Sequence, residues 1–266
     1  MISAKNIRVS ALMLLLFTLA FFAIRDLYPL WDDKTININI HLSNPEGSQE
    51  VNTFINNVEP DHFKEVEYFL TKNAKFYSKK EVRFKFIILG KVKNKIPTGF
   101  FKKNIQANSL WPYWVYDIKE IIKLRLYVLK DRWNSGRGRG YDVYVNYYSD
   151  DENAPTQSLA FQVGTFAILN LHADESMKPY DNVIVAHEIL HFFGANDRYD
   201  ETLNPIYPVG YAEPYKIPTF PQNKAEIMGG YIPISKNNSV AATLDEVVIN
   251  PITAKEVMWI KPFNFF

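Results

Sequence analysis

Two histidines and a glutamate in the second half of the chain have the spacing of a metal-dependent hydrolytic site. His187, Glu188 and His191 form the pattern His-Glu-x-x-His. Histidines four positions apart on a helix lie about 40° apart around its axis, so both imidazoles can reach one ion. Glu188 lies about 100° round the helix from His187, where it can take a proton from a water beside the metal. The pattern therefore predicts two metal ligands with a general base next to them.

The residues that follow offer a turn and a third ligand. Gly194 stands where the predicted helix ends, and glycine readily adopts the left-handed conformation that turns a chain sharply. Asp197 comes soon after, and its carboxylate could return to the ion as the third ligand. Three protein ligands leave a fourth position for water, as a catalytic zinc site requires. His172 before the helix, and Glu246 or Glu256 after it, are alternative third ligands.

The extended pattern resembles that of the metzincin metallopeptidases. Residues 187 to 197 read H-E-x-x-H-x-x-G-x-x-D, and the final aspartate resembles the snapalysin-type variant of the motif. The resemblance covers roughly residues 160 to 260. It implies a zinc endopeptidase that acts on a peptide or protein, with His187, His191 and Asp197 as zinc ligands and Glu188 as the catalytic base.

The same resemblance directs attention to two residues downstream. Metzincins carry a methionine in a tight turn beneath the metal, and Met228 in the run Glu-Ile-Met-Gly-Gly is the similar residue here. Some metzincins use a tyrosine two positions after that methionine as an extra ligand or oxyanion donor. Tyr231 lies one position beyond that register, so the resemblance makes it a supporting candidate.

The motif predicts a metal that activates water, but it does not fix the bond that is attacked. A zinc hydrolase acting on a non-peptide amide has the same ligands and base. A membrane-tethered binding protein with a non-catalytic zinc site fits the ligands as well. A helix whose two histidines are satisfied by backbone groups or water is the purely structural alternative.

Composition narrows these possibilities. The chain has 266 residues, 47% of them hydrophobic, which is enough for a substantial core. It contains no cysteine, so a zinc site must depend on histidine and carboxylate ligands. The formal net charge is +1, and no nucleic acid is expected as a partner.

The N-terminus has the pattern of a membrane signal. Lys5 and Arg8 precede a run from Val9 to Ile24 that carries no charge. A basic end before an apolar run predicts a retained signal anchor over residues 1–25, with the N-terminus in the cytoplasm. The predicted catalytic domain, residues 26–266, then lies outside the cytoplasm, and the membrane is a partner through the N-terminal helix. Secretion after cleavage of a signal peptide is the alternative.

The remaining pattern predicts an α/β (α+β) fold of metzincin-like type, with a mixed, mostly N-terminal sheet, an active-site helix and a C-terminal helix. Apolar–polar alternation and β-rich composition predict strands over residues 35–42, 82–92, 141–148 and 161–171. Helices are predicted over 50–79 with a break near Pro60, over 111–133, and over 251–259 with Thr253 as its cap. Asp181 is the predicted cap of the motif helix. By resemblance, strand 161–171 is the edge of the substrate cleft.

Overall fold

The architecture comes from a computed structural model. It describes residues 9–10, 12–14, 16–18, 20, 35–92, 96–97, 113–137, 140–149, 158–162 and 164–260. Within these ranges the chain forms a mixed sheet covered by several helices, which agrees with the predicted α+β class.

A five-stranded sheet forms the centre of the molecule. Its spatial order is β2-β1-β3-β5-β4, and every neighbouring pair is parallel except β4 with β5, which is antiparallel. The strands are β1 (Thr35–Ser43), β2 (Arg83–Lys91), β3 (Tyr141–Tyr148), β4 (Leu159–Phe161) and β5 (Phe166–His172). All the residues of β3 are buried, because helices cover both faces of the sheet there.

Alternation along the strands divides the side chains between two apolar layers. On β3, Val143, Val145 and Tyr147 belong to the large core, whereas Tyr144 points to the opposite face. Helices α1 (Gln49–Asn56), α2 (Lys64–Ser78) and α4 (Lys178–His191) contribute to the large core. Helix α3 (Tyr113–Asn134) covers the other face.

Two details of these elements follow from local sequence. Helices α1 and α2 are separate, with a 3₁₀ turn at Pro60–Phe63 between them, so the predicted break near Pro60 is confirmed. The predicted strand 161–171 is wrong as a single element: it is divided between β4 and β5 by a turn. Gly164 and Thr165 have φ values of 104° and 52° in that turn, which a continuous strand cannot contain.

The C-terminal part adds small elements beside the motif helix. β6 (Ala225–Glu226) pairs in parallel with β9 (Val247–Val248), and β7 (Tyr231–Ser235) forms a hairpin with β8 (Asn238–Ala241). Helix α5 (Pro251–Glu256) follows. Its cap is Asn250, whose side chain accepts from two backbone N–H groups, so Thr253 is not the cap that the sequence predicted.

The predicted membrane anchor requires correction. In the described part of the chain, no helix is both long enough and apolar enough to cross a bilayer. A spanning helix needs about 20 mostly apolar residues, and the uncharged run from Val9 to Ile24 is shorter than that. The predicted single-pass membrane location is therefore wrong on this finding. Residues 1–8, 11, 15, 19 and 21–25 of the predicted anchor lie outside the described residues.

Candidate metal centre

Hydrogen bonds with backbone carbonyls determine which ring nitrogen of each motif histidine on helix α4 carries the proton. His187 Nδ1 lies 2.9 Å from the carbonyl oxygen of Ile227, and His191 Nδ1 lies 2.7 Å from that of Ala195. A carbonyl oxygen only accepts hydrogen bonds, so each Nδ1 carries the proton and donates it. In a neutral imidazole the other nitrogen then keeps its lone pair, which is the form that binds a metal.

The chain after α4 turns back and brings Asp197 to these nitrogens. Gly194 has a φ of 97°, in the left-handed region predicted for this position. Asp197 Oδ1 lies 3.0 Å from His187 Nε2 and 3.2 Å from His191 Nε2. The two Nε2 atoms are 3.1 Å apart. The three predicted ligands therefore converge on one point from a helix and a loop.

The donor set fits a small divalent metal ion. His187, His191 and Asp197 each offer one ligand atom, and these atoms lie within 4.8 Å of one another; the described residues contain no other such group. Ligands at about 2.0–2.2 Å from a tetrahedral zinc lie about 3.3–3.6 Å from each other. The separations in this structure are a few tenths of an ångström shorter, so a small outward movement of the side chains accommodates the ion.

The electrostatics of the group favour a positive charge between the three side chains. Burial alone would raise the pKa of Asp197, but its hydrogen bonds with His187 and His191 outweigh burial and hold the pKa far below the ordinary value. Burial alone would lower the pKa of His187, yet the hydrogen bond with Asp197 and the charge of Glu188 raise that pKa instead. A bound cation would supply the positive charge that both shifts favour.

Glu188 lies beside this group in a cleft. The residue is 7% exposed, and burial raises the pKa of its carboxyl group. It lines a cleft of about 990 Å³ that also includes His187, His191 and Asp197. Strand β4 contributes Leu159 and Ala160 to the same cleft. A carboxylate with a raised pKa is suited to accept a proton near neutral pH.

The turn that contains Met228 supports His187 from below. Gly229 and Gly230 donate backbone N–H groups to the carbonyl of Glu226, both at 2.9 Å, and the Met228 N–H is held by the Glu226 side chain at 2.7 Å. The adjacent Ile227 carbonyl is the acceptor for His187 Nδ1. Met228 itself is fully buried in the core. The turn is thus tight and touches a ligand, through the residue next to the methionine.

Three tyrosines line the cleft, Tyr180, Tyr199 and Tyr231, and the sequence had suggested only Tyr231 as a site residue. Tyr231, at the start of β7, lines the cleft, as does Tyr199. The Tyr199 ring lies almost parallel to that of His187, with centroids 6.0 Å apart. Burial first, and then the charge of Asp197 and a hydrogen bond with it, raise the pKa of the Tyr199 hydroxyl. The sequence did contain a signal for Tyr199, which lies two positions after Asp197. In an extended segment, residues two apart face the same side.

The alternative third ligands have other partners. His172 lines the cleft, but its Nδ1 lies 2.8 Å from Asp181 Oδ1, and it does not belong to the metal-binding group. Glu246 accepts from the backbone and hydroxyl of Thr243 in a capping box. Glu256 pairs with Arg198 at 2.9 Å.

Asp181 also differs from its predicted role. Helix α4 begins at Lys178, so Asp181 lies in its first turn instead of capping it. There its carboxylate accepts a hydrogen bond from the His172 backbone N–H at 2.9 Å and also contacts the His172 ring. Asp181 therefore connects the end of strand β5 to the beginning of the motif helix.

Comparisons with known proteins give no assignment. No family model matches the chain, and no curated protein matches it. A solved structure titled "Structure of a chaperone-substrate complex" is similar over 86% of this chain and 36% of that chain, at 15% sequence identity and a TM-score of 0.39. The chain therefore spans well under two thirds of that structure's length, and a TM-score this low supports no statement about fold or function.

Proposed function

We propose that this chain is a zinc-dependent endopeptidase. The observation that carries the proposal is the convergence of two histidine Nε2 lone pairs and a carboxylate oxygen, separated by 3.0–3.2 Å, beside a buried glutamate. Three electron-rich atoms at this spacing repel one another unless a cation or a proton lies between them. Two imidazoles and a carboxylate, without cysteine, are ligands that catalytic zinc sites use.

The residues around the group have definite roles in this proposal. When bound, zinc lowers the pKa of a water molecule and polarises a carbonyl oxygen. Glu188 accepts the proton of the water that attacks the peptide carbonyl, and then delivers it to the departing nitrogen as the C–N bond breaks. The raised pKa of the Glu188 carboxyl group suits both steps, the acceptance of a proton from water and its release to the departing nitrogen. Tyr199 and Tyr231 are cleft hydroxyls that could donate to the oxyanion.

A peptide is the favoured substrate because of strand β4. This strand is the last in the sheet order, so its outer edge pairs with none of the described strands. Leu159 and Ala160 of the same strand line the cleft. An extended peptide can add to such an edge through backbone hydrogen bonds. Its backbone would then lie across the group formed by His187, His191 and Asp197. The metzincin resemblance of the motif points to the same kind of substrate.

The proposal is tested with Glu188→Gln, with the exposed Glu81→Gln as the matched control. Glu188→Gln is expected to keep zinc, measured by elemental analysis, and to lose about 10²–10⁴-fold in peptide cleavage because the proton acceptor is gone. Asp197→Ala is expected to lose zinc itself. Glu81→Gln changes neither quantity.

Each hypothesis about the site predicts a different result. Peptide cleavage at the wild-type rate by Glu188→Gln would exclude the proposed mechanism. Bound zinc without cleavage of any peptide in a diverse library indicates a binding protein with a non-catalytic site. Hydrolysis of a non-peptide amide, but of no peptide, indicates the other class of zinc hydrolase. Wild-type protein that holds no zinc after reconstitution contradicts all three.

A further inference from the structure

The third predicted ligand lies in a loop, so the position of its backbone depends on contacts with other segments of the chain. His187 and His191 are fixed by helix α4, whereas residues 195–198 form no helix or strand. The side chain of Asp197 is 47% exposed, so packing alone does not determine where its carboxylate lies. The residues on either side of Asp197 therefore contribute to holding it beside the histidines.

One carboxylate holds both of those neighbours. Glu256 Oε2, at the end of helix α5, accepts the backbone N–H of Asn196 at 3.1 Å and the guanidinium Nη2 of Arg198 at 2.9 Å. The two donors belong to the residues immediately before and after Asp197. Glu256 therefore forms hydrogen bonds with the residues on both sides of Asp197, and not with Asp197 itself.

Arg198 extends this attachment to the rest of the site. Its side chain is 4% exposed, and its Nη1 donates to the Asn250 side chain at 3.1 Å and to the Val209 carbonyl at 3.2 Å. Its backbone N–H donates to the Met228 carbonyl at 2.9 Å. Asn250 is the cap of α5. The planar guanidinium thus ties the ligand loop to helix α5, while the backbone ties it to the turn beneath His187.

We infer that Arg198 and Glu256 are positioning residues of the metal centre, and that helix α5 sets its affinity by holding Asp197 in place. The inference rests on the proposed function, since it presumes that Asp197 binds the metal. Glu256 thereby has a role different from the one that the sequence suggested: it holds the loop that carries the third ligand and does not replace that ligand. Partners that hydrogen-bond to metal ligands change metal affinity by about 10–100-fold when they are altered. Glu256 and Arg198 act one step further out, through the segment that carries the ligand.

The experiment measures zinc dissociation constants of the full chain by competition with a chelating dye. Glu256→Ala removes both hydrogen bonds and should raise the zinc dissociation constant about 10–100-fold. Glu256→Gln keeps an oxygen acceptor but loses its charge, and Arg198→Lys keeps the charge but loses the planar fork, so both should have smaller effects in the same direction. If Glu256→Ala does not fold, these two conservative variants carry the test.

Glu246→Ala is the matched control. Glu246 lies close by in sequence and also accepts a backbone N–H and a side-chain donor through one carboxylate oxygen, but both come from Thr243. It should leave the zinc dissociation constant unchanged. The free energy of unfolding of each metal-free variant is measured in parallel, since a purely structural role lowers stability without weakening zinc.

The outcomes distinguish failure of the positioning role from failure of the proposed metal site. If Glu256→Ala raises the zinc dissociation constant no more than Glu246→Ala does, the positioning role is overturned while the metal site stands. If Glu246→Ala weakens zinc as much as Glu256→Ala, the effect is general to the C-terminal segment and the positioning role is again overturned. If the wild-type chain binds no zinc, the proposed function itself has failed.

Discussion

Two sheltered clusters of histidine and carboxylate side chains differ in how their charges are balanced, and one of them could hold a metal ion. The Asp142 cluster, on the side of the sheet that α3 covers, consists of His41, Asp131, Arg132, Arg137 and Asp142. The metal group consists of His187, His191 and Asp197. Both contain a histidine Nε2 that lies 3.0 Å from an aspartate oxygen.

The difference lies in how the charges are matched. Asp142 is fully buried, and it pairs with Arg132 at 2.6 Å and also with Arg137, which in turn pairs with Asp131. Two cationic side chains thus balance two carboxylates. Asp197 pairs with two histidines and, among the described residues, with no lysine or arginine. In the first cluster the protein supplies both signs of charge, whereas the second could hold a metal ion that supplies the positive charge.

Substitutions in the two regions should therefore change different properties of the protein. The Asp142 cluster is expected to determine stability alone. The metal group is expected to determine zinc affinity, with little effect on the metal-free fold.

The largest effect is expected from Asp142→Asn. The change leaves the charges of two largely buried arginines without their main partner, which typically costs about 3–5 kcal/mol of the free energy of unfolding. Urea unfolding measures this loss. The zinc dissociation constant of the folded variant should equal that of the wild type. A change in zinc affinity would show that the two clusters are coupled and that the comparison is invalid.

Acid should weaken the wild type through the same residue. Burial alone would raise the pKa of Asp142, but a hydrogen bond with His41 and the charges of Arg132 and Arg137 lower it well below its ordinary value. A carboxyl group with a lowered pKa in the folded state stabilises the protein above its unfolded pKa of about 3.9, and this stabilisation is lost as the pH falls towards the folded pKa.

The measurement is urea unfolding between about pH 6 and pH 3 for wild type and Asp142→Asn. The free energy of unfolding of the wild type should fall by about 1–2 kcal/mol more than that of the variant over this interval, because the asparagine cannot titrate. Parallel curves for the two proteins would mean that Asp142 has an ordinary pKa, and that the balance of charge described for the cluster is wrong.

Gly194→Ala is expected to affect both stability and the metal. An alanine in the left-handed region costs about 1–2 kcal/mol, and its Cβ would lie 3.1 Å from Gln162 Nε2. Relief of that strain should shift the ligand loop and weaken zinc about tenfold. Gly47→Ala is the control, since Gly47 has a φ of 74° with no atom within 4 Å of the added Cβ. The control should lose stability without losing zinc affinity.

The smallest effect is expected from Tyr199→Phe. The ring can still lie against His187, but the hydroxyl that bonds Asp197 is removed, so the zinc dissociation constant should rise by about threefold to tenfold. Tyr144→Phe is the matched control, because the Tyr144 hydroxyl donates to Asp131 at 3.0 Å in the Asp142 cluster. It should lower stability by about 1 kcal/mol and leave zinc binding unchanged. Equal zinc dissociation constants for the wild type, Tyr199→Phe and Tyr144→Phe would show that the Tyr199 hydroxyl does not contribute to zinc binding.

Local patterns in the sequence predicted the parts of the site that are themselves local. The spacing of His187 and His191 places both rings on one helical face, because the helix repeat is independent of the rest of the fold. Gly194 was predicted as a turn for a comparable reason, since few other residues adopt a φ of 97° without strain. Strands β1, β2 and β3 likewise followed from apolar–polar alternation, helix α3 from its helical periodicity, and the break between α1 and α2 from Pro60.

Errors arose where the type of a residue did not reveal its partner, or where the pattern of a segment did not reveal its structure. Asp181 has the composition of a helix cap, but its partner is His172 on a neighbouring strand. Glu256 and Glu246 looked equivalent as possible ligands, although one binds Arg198 and the other binds Thr243. The N-terminal apolar run had the order of charges of an anchor, but no described helix has the length and apolar character to cross a membrane.

The sequence by itself determined which residues could bind a metal and accept a proton, because that information is carried by side-chain chemistry and helical spacing over a few residues. It also indicated the α+β class, because periodicity reveals strands and helices one at a time. Only the tertiary structure chose Asp197 over the other candidate ligands, and only it showed that Glu256 holds the loop around Asp197 and that the Ile227 carbonyl holds the ring of His187. Those facts depend on contacts between segments far apart in the chain, and local periodicity contains no record of such distances.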